Sequence, residues 1–377
     1  MKYLLLLCIV GGLLSCKSDK GLNQSFVNQC NLHRTEDRTF ILDDETTQNF
    51  DCLQFYRLNG VESKLFFNNA YDNSIVEYDY ASPSLVRKIK LHKEGPNGVG
   101  GSFFFHYLNQ DTILIYNYAM QRLFMVDDKG KVFDKRPIKI DVNLQPDSLF
   151  MGPGFISART NNPMLKIGDE ILFSGFLPNE LKGENKSNRP VLAWYHLKDN
   201  KIRYSDCYPE IYHKGNWGGS FSYRNPSYTL NDRNELVLSF AADLNIRVSE
   251  LGYAQREYRA GFVSPKPVMD EMIYPGDKDE RHFFRSISYG CIHYDSVRKL
   301  YYRLVTLPLE GEIPGKRPVH KPLALIILDN DFEMIGYFEL PKADYLPNNC
   351  FVSSDGFHVQ VVSDNDDILR FATFMVE

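Results

Sequence analysis

Six times along the chain an apolar stretch, a polar turn and a second apolar stretch follow one another, and this device most narrows the choice of folds. The stretches are residues 54–68 turning at Asn59-Gly60, 104–117 at Asn109-Gln110-Asp111, and 164–175 at Gly168-Asp169. They continue with 227–241 at Asn231-Asp232, 290–305 at Tyr294-Asp295-Ser296, and 350–363 at Ser354-Asp355-Gly356. Turn-forming Asn, Asp and Gly between runs of Phe, Tyr, Val, Ile and Leu predict a β-hairpin at each place.

After each of the first five comes a second hairpin, over 74–91, 121–138, 190–208, 246–262 and 323–340. Two hairpins in series make a four-stranded antiparallel unit. The second strands are expected to start at Leu65, Ile113, Ile171, Leu236, Leu300 and Phe357, a spacing of roughly 50–65 residues. Repeated four-stranded units at that period predict an all-β protein, a β-propeller whose radial sheets bury both faces against their neighbours. An aromatic content of 14%, with 26 Phe and 23 Tyr, suits sheets of this kind.

The sixth unit is short: after 350–363 only residues 367–376 remain, enough for one strand. The isolated apolar stretch 39–42 is expected to supply the missing outer strand, closing the ring and covering an edge. The expectation is therefore six blades, with seven as the alternative.

The first fifteen residues read as a signal peptide, with Lys2 ahead of an apolar core that is too short for a permanent membrane span. They end Leu13-Leu14-Ser15 and Cys16 follows, similar to a bacterial lipobox, which makes Cys16 the expected lipidated residue; an ordinary secretory signal is the alternative. Lys17-Ser18-Asp19 loosely resembles a surface-export tag. Residues 16–36 are polar and aperiodic, a flexible tether, and 37–377 form one propeller domain. The expected location is the outer membrane or cell surface, by lipid anchor. Cys30, Cys52, Cys207, Cys291 and Cys350 lack paired spacing and read as buried or free thiols. A net charge of −5 without a basic block argues against a nucleic-acid partner.

The connector Gly95-Pro96-Asn97-Gly98-Val99-Gly100, with the strand 111–115 and hairpin 121–130 after it, resembles a blade of the NHL and six-bladed propeller class. With the lipobox and Lys299-Leu300-Tyr301-Tyr302-Arg303, the chain is similar to the Bacteroidetes lipoproteins grouped as domain-of-unknown-function family 4221. The resemblance implies a propeller and carries no catalytic residue with it.

In such a meander the long connections share one end of the ring: the insertions 177–190 and 311–322, and the blade links 141–163, 205–226 and 263–287. Long loops on a rigid scaffold are where binding concentrates. Arg159 and Arg224 each stand twelve residues before the expected second strand of their blade, and Arg285 stands fifteen before its own. Converging at the channel mouth, their guanidiniums would suit a carboxylate or phosphate. Pairing of each with a local acid or ring is the competing reading. Trp217, Phe221 and Tyr223 would stack on a flat ligand, or pin down their loop. Asn97 joins them as a binding candidate. The acidic runs 364–367 and 277–280 lack EF-hand spacing, and neither a His-Glu-x-x-His pair nor a Gly-x-Ser-x-Gly elbow occurs. No metal and no cofactor are expected.

These features favour a monomeric, lipid-anchored envelope protein whose propeller face binds an anionic or carbohydrate ligand, a peptide or an envelope protein partner, without catalysis. A propeller hydrolase or lyase with a metal or His/Asp site at the channel mouth is the alternative.

Overall fold

The computed structural model describes residues 26–58, 62–138, 155–176, 190–217, 221–266, 278–311 and 320–377. Its first strands are β1 (Leu32–Arg34) and β2 (Arg38–Ile41). Blade I is β3 (Leu53–Leu58), β4 (Glu62–Asn69), β5 (Ser74–Asp79) and β6 (Ser84–Lys90). Blade II is β7 (Phe104–Asn109), β8 (Thr112–Asn117), β9 (Arg122–Val126) and β10 (Val132–Pro137). In blade III, β11 (Phe155–Ser157) and β12 (Leu165–Ile167) both pair with β13 (Glu170–Phe176), followed by β14 (Pro190–His196) and β15 (Ile202–Cys207).

A short helix α1 (Phe221–Arg224) leads to blade IV, made of β16 (Ser227–Leu230), β17 (Leu236–Ser239), β18 (Asn245–Ser249) and β19 (Gln255–Arg259). Helix α2 (Lys278–Arg285) leads to blade V: β20 (Ser288–Asp295), β21 (Leu300–Thr306), β22 (Leu323–Leu328) and β23 (Met334–Glu339). Blade VI is β24 (Tyr345–Ser353), β25 (Gly356–Val361) and β26 (Ile368–Val376), with β1 and β2 one after the other along the outer edge of β26.

Period-2 alternation decides the number of blades. On β8, Ile113 and Ile115 enter the core shared with blade I, while Leu114 and Tyr116 enter the core shared with blade III. Both faces of each strand are apolar because both are covered, which is why the sequence shows runs rather than alternating apolar and polar residues. There are six such cores among the described residues, one at each junction from I–II round to VI–I. The ring is closed at six.

The closing core holds Phe40 and Leu42 from the N-terminal segment against Leu65, Tyr78 and Tyr80 of blade I and Phe351 and Phe371 of blade VI. In register, Arg38 lies opposite Phe371 and Ile41 opposite Ile368. The predicted stitching strand is therefore present, and the N-terminal segment contributes more. Leu32 lies opposite Val376. Upstream, Gln29 N–H donates to the Ile335 carbonyl at 2.8 Å and Asn28 Nδ2 donates to the Tyr337 carbonyl at 3.3 Å. Phe26 packs edge-on against Phe262. The expected tether 16–36 is corrected from residue 26 onward: β1 is half exposed and bonds mainly through its backbone, so no apolar alternation marks it. The signal peptide and Cys16 lie outside the described residues.

Candidate binding site

A propeller channel is lined by the inner edges of its first strands, whose backbone groups have no further strand to pair with. Here side chains meet several of them. Gln54 accepts from Tyr107 N–H at 2.7 Å and donates to its carbonyl at 2.9 Å. The hydroxyls of Ser227 and Thr229 accept from Ile292 and Tyr294 N–H at 3.1 and 3.3 Å.

At the end where the long links gather, the innermost strand of blade III makes an excursion. Ser157 pairs with Ser174 and Leu165 with Leu172, so residues 158–164 loop out opposite the single residue Phe173. Thr160 Oγ1 accepts from Leu53 N–H of blade I (3.0 Å), the Asn161 carbonyl accepts from Tyr228 N–H of blade IV (3.0 Å), and Asn161 Nδ2 donates to the Pro347 carbonyl of blade VI (3.1 Å). A segment bonded to three other blades lies across the axis and plugs this mouth.

Each candidate from the sequence has local partners of its own. Arg159 sits inside the excursion and pairs with Asp51 at 2.5 Å. Arg224 ends α1, its guanidinium 4.9 Å from the centre of the Phe176 ring. Arg285 ends α2, exposed, its Nη1 3.5 Å from the Leu309 carbonyl. The equal spacing of Arg159 and Arg224 does not give equivalent positions, because the split inner strand of blade III places Arg159 within a strand and Arg224 ahead of one. Trp217 and Tyr223 are fully buried in the III–IV core, packed at tilted and edge-on angles among Tyr212, His282 and Phe283. They pin their loop and present no face to a ligand; the Phe221 side chain lies outside the described set. Asn97 Oδ1 accepts from Val132 N–H at 3.2 Å, fastening the I–II connector to the outer strand of blade II.

In the run 364–367, Asp367 and Asn365 close on each other as a turn, and the run 277–280 has no described side chains. The insertions 177–189 and 312–319 and the stretches 139–154 and 267–277 of the links also lie outside the described residues. Among the described residues no group of three or more His, Cys, Asp or Glu stands together to hold a metal ion. The five described cysteines are free: Cys52, Cys291 and Cys350 are buried, Cys30 half-buried and Cys207 exposed.

An open cleft of about 430 Å³ lies at the opposite end, where β1 hands over to β2. Thr35, Glu36, Asp37, Arg38, Ser354, Asp355, Thr373 and Met375 line it. The cause is local: between the two short strands Thr35-Glu36-Asp37 stand opposite only two residues of β26, a bulge in which Thr35 N–H still donates to the Thr373 carbonyl at 3.0 Å. Arg38 donates to Asp355 at 2.7 Å and lies 4.4 Å over the Tyr80 ring. Tyr80 also donates to Asp355 at 2.9 Å. Burial pushes the Asp355 carboxyl up, but the hydrogen bonds from Tyr80 and Arg38 outweigh it and hold the group below the usual carboxylate range. The same burial pushes the Tyr80 phenol up to about 12.

Behind the cleft, His358 Nε2 meets Ser353 Oγ at 2.8 Å and its Nδ1 meets Thr373 Oγ1 at 3.0 Å. This is a serine beside a histidine, yet not an activated nucleophile. Both side chains are sealed from solvent, burial pulls the imidazole down to about 3, and a hydroxyl stands where a carboxylate would orient the base. The sequence reasoning passed over this seam. Its one signal was the unusual polar content of the turn Ser353-Ser354-Asp355 beside His358.

A family model for a domain of unknown function, DUF4221, matches residues 29–336. Among solved structures, the chain is similar to a DUF4221 member from Bacteroides vulgatus, at 22% identity and a TM-score of 0.78, covering 93% of this chain and 99% of that one. It is also similar to a Bacteroides fragilis protein described as exported, at 12% identity and a TM-score of 0.55, covering 92% and 95%. At these identities both speak for the fold. No curated protein matches the sequence.

Proposed function

The chain belongs to the DUF4221 family, and from that premise we propose that it is a lipid-anchored envelope protein that holds a polar ligand, a glycan or a peptide segment, in the seam cleft between β1 and β2. The cleft is the observation that carries this reading. It places one guanidinium, three carboxylates and three hydroxyls around an open space of about 430 Å³, on a rigid sheet edge. Alternating donors and acceptors of this kind match vicinal hydroxyls or amides, and the charged members make their hydrogen bonds the strong ones. The lipobox ending at Cys16 and the exported relative support the address.

The test is a glycan array and peptide library probed with the mature chain, then calorimetry on the best binder. Glu36 is exposed and is expected to contact the ligand directly. Replacing it, Glu36→Gln, should weaken binding about tenfold, the loss of roughly 1.4 kcal/mol, with the unfolding midpoint unchanged. Equal affinity in this variant and in Thr35→Val would discard the cleft as the site.

A further inference from the structure

Radial sheets diverge toward the rim, so the inner strands of neighbouring blades come closest to one another. Between blades V and VI these are β20 and β24, and each carries an irregularity. On β20, Tyr289 lies opposite Val305 and Ile292 opposite Arg303, so Gly290 and Cys291 together face only Leu304. On β24, Leu346 lies opposite Gln360 and Cys350 opposite Val359, so residues 347–349 are extra. A bulge re-aims the side chains around it. Here each blade turns one cysteine into the same V–VI core, and both are wholly sealed from solvent.

The two thiols meet there. Cys291 and Cys350 are within hydrogen-bonding reach of one another, and His293 is within reach of Cys291. Cys350 Sγ also donates to the Pro347 carbonyl at 3.4 Å, inside its own bulge. Burial pushes the Cys291 thiol up, but the bonds from Cys350 and His293 outweigh it and hold the group below the ordinary thiol value. Burial and the neighbouring sulfur both raise Cys350. Cys52 is the contrast. It is also buried, but it bonds to the Phe105 carbonyl rather than to a second thiol, and it is pushed up to about 12.

We propose that Cys291 and Cys350 form a disulfide site, and that oxidation staples blade V to blade VI beside the channel. The oxidant is itself a disulfide, either a low-molecular-weight one or that of a thiol oxidoreductase, in the oxidising compartment that the export proposed above supplies. The Cys291 sulfur attacks one sulfur of that disulfide and expels a thiolate. Cys350 then attacks Cys291 in the mixed disulfide and expels the second. Two electrons leave the two thiols, both protons end on the expelled thiolates, and one sulfur–sulfur bond replaces another. Exchange needs access to the sulfurs, so the step belongs to folding, before blade VI seats on blade V. The closed core then shields the bond from reductant.

The position suits a staple. Blade VI is held to blade I by Phe40 and Leu42, and the bond would fix its other side. β24 continues from Cys350 into the cleft wall at Ser354, whose carbonyl accepts from Arg298 Nη2 of blade V at 2.8 Å. Cys30 does not compete for either sulfur. Its Sγ lies 3.6 Å from the Ile335 carbonyl on β23, three strands out from β20 and thus roughly 14 Å away.

The experiment uses the full-length protein from cells that export it, with free thiols alkylated in denaturant at lysis. Trypsin cuts after Arg285, Arg298, Lys342 and Arg370, which places each cysteine in its own peptide. The expected result is 286–298 linked to 343–370, a species that reductant splits. A second arm refolds the purified chain in oxidised glutathione and so tests the bond apart from the cellular address. Its melting temperature should exceed that of the reduced chain by about 5 °C. Cys350→Ala should abolish the difference, and Cys207→Ser should leave it. If Cys350→Ala does not fold, the peptide map of the unsubstituted protein decides alone. A link formed in glutathione but absent from the exported protein upholds the site and overturns the oxidising address. Both cysteines alkylated after refolding in oxidised glutathione, or Cys30 linked to either, overturns the staple.

Discussion

At the level of single residues, Arg303 shows how a charge can serve a buried strand. It lies in the apolar run of β21, fully buried, and its guanidinium reaches into blade IV. Nε donates to Ser239 Oγ at 2.9 Å, Nη1 to the carbonyls of Leu244 and Ala260 at 2.8 and 2.9 Å, and Nη2 to those of Asp243 and Asn245 at 2.7 and 3.1 Å. All five donors of the fork are used, and the ring of Tyr289 lies 4.2 Å away. Burial pulls the group down to about 10, so it stays charged at neutral pH. A lysine has neither the planarity nor the number of donors to replace it. Arg303→Lys should cost about 3 kcal/mol or more, because carbonyls of the β17–β18 turn lose their donors in a dry core; denaturant titration with unchanged m-value would read it.

Two histidines set the response to acid, His358 fully buried and His106 half-buried. Burial holds His358 at about 3 and His106 at about 4, against 6.5 for the free side chain. Both are neutral in the fold, so below pH 6.5 the unfolded chain gains protons that the folded one refuses. Their contribution is complete above pH 6.5 and is lost as the pH falls toward 4 and 3. Between pH 7 and 5 each should remove on the order of 2 kcal/mol, before most carboxylates titrate. His106→Leu should flatten the dependence of the melting temperature on pH over that interval; an unaltered slope would refute the assignment. Gly130 gives a steric counterpart. Its φ is +75° and an added Cβ would stand 2.2 Å from the Lys90 carbonyl oxygen, so Gly130→Ala should destabilise by about 2 kcal/mol or more.

Among the elements, the closing strand bears the most. Phe40 is wholly buried and meets Tyr78, Tyr80 and Phe371. Truncating it, Phe40→Ala, should cost about 3–5 kcal/mol, visible in the unfolding midpoint. This strand could be read in the sequence because its apolar residues had no local partner and a blade elsewhere was one strand short. The hairpins were legible for a related reason: Asn, Asp and Gly mark turns by their own backbone preferences, independent of distant contacts. β1 was not legible, since a strand that bonds through its backbone leaves no side-chain pattern. Nor was the plug, because only the ring brings Asn161 to Tyr228 and Pro347. The local settings of the three arginines were not legible for the same reason. Spacing along the chain equals position in space only while blades stay regular, and β11–β12 breaks that regularity. The cleft combines residues more than 300 positions apart, as in the Arg38–Asp355 pair, beyond any local signal.

For the whole molecule, six cores arranged in a circle make each blade depend on two neighbours, and the VI–I junction on a segment from the far end of the chain. Deleting residues 26–41 should therefore do more than subtract local contacts. It bares the edge of β26, so the shortened protein is expected to associate with concentration by size-exclusion chromatography and to lose a single cooperative melt. A monomeric variant with one sharp transition would show that the clasp is dispensable.

The first strand to be synthesised is thus paired with the last. Until residues 368–371 have left the ribosome there is nothing for Arg38–Ile41 to dock on, and the circle stays open. A polypeptide built this way cannot lock prematurely while one end is still being made. If it is threaded through a membrane, both ends must arrive on the same side before it becomes a ring.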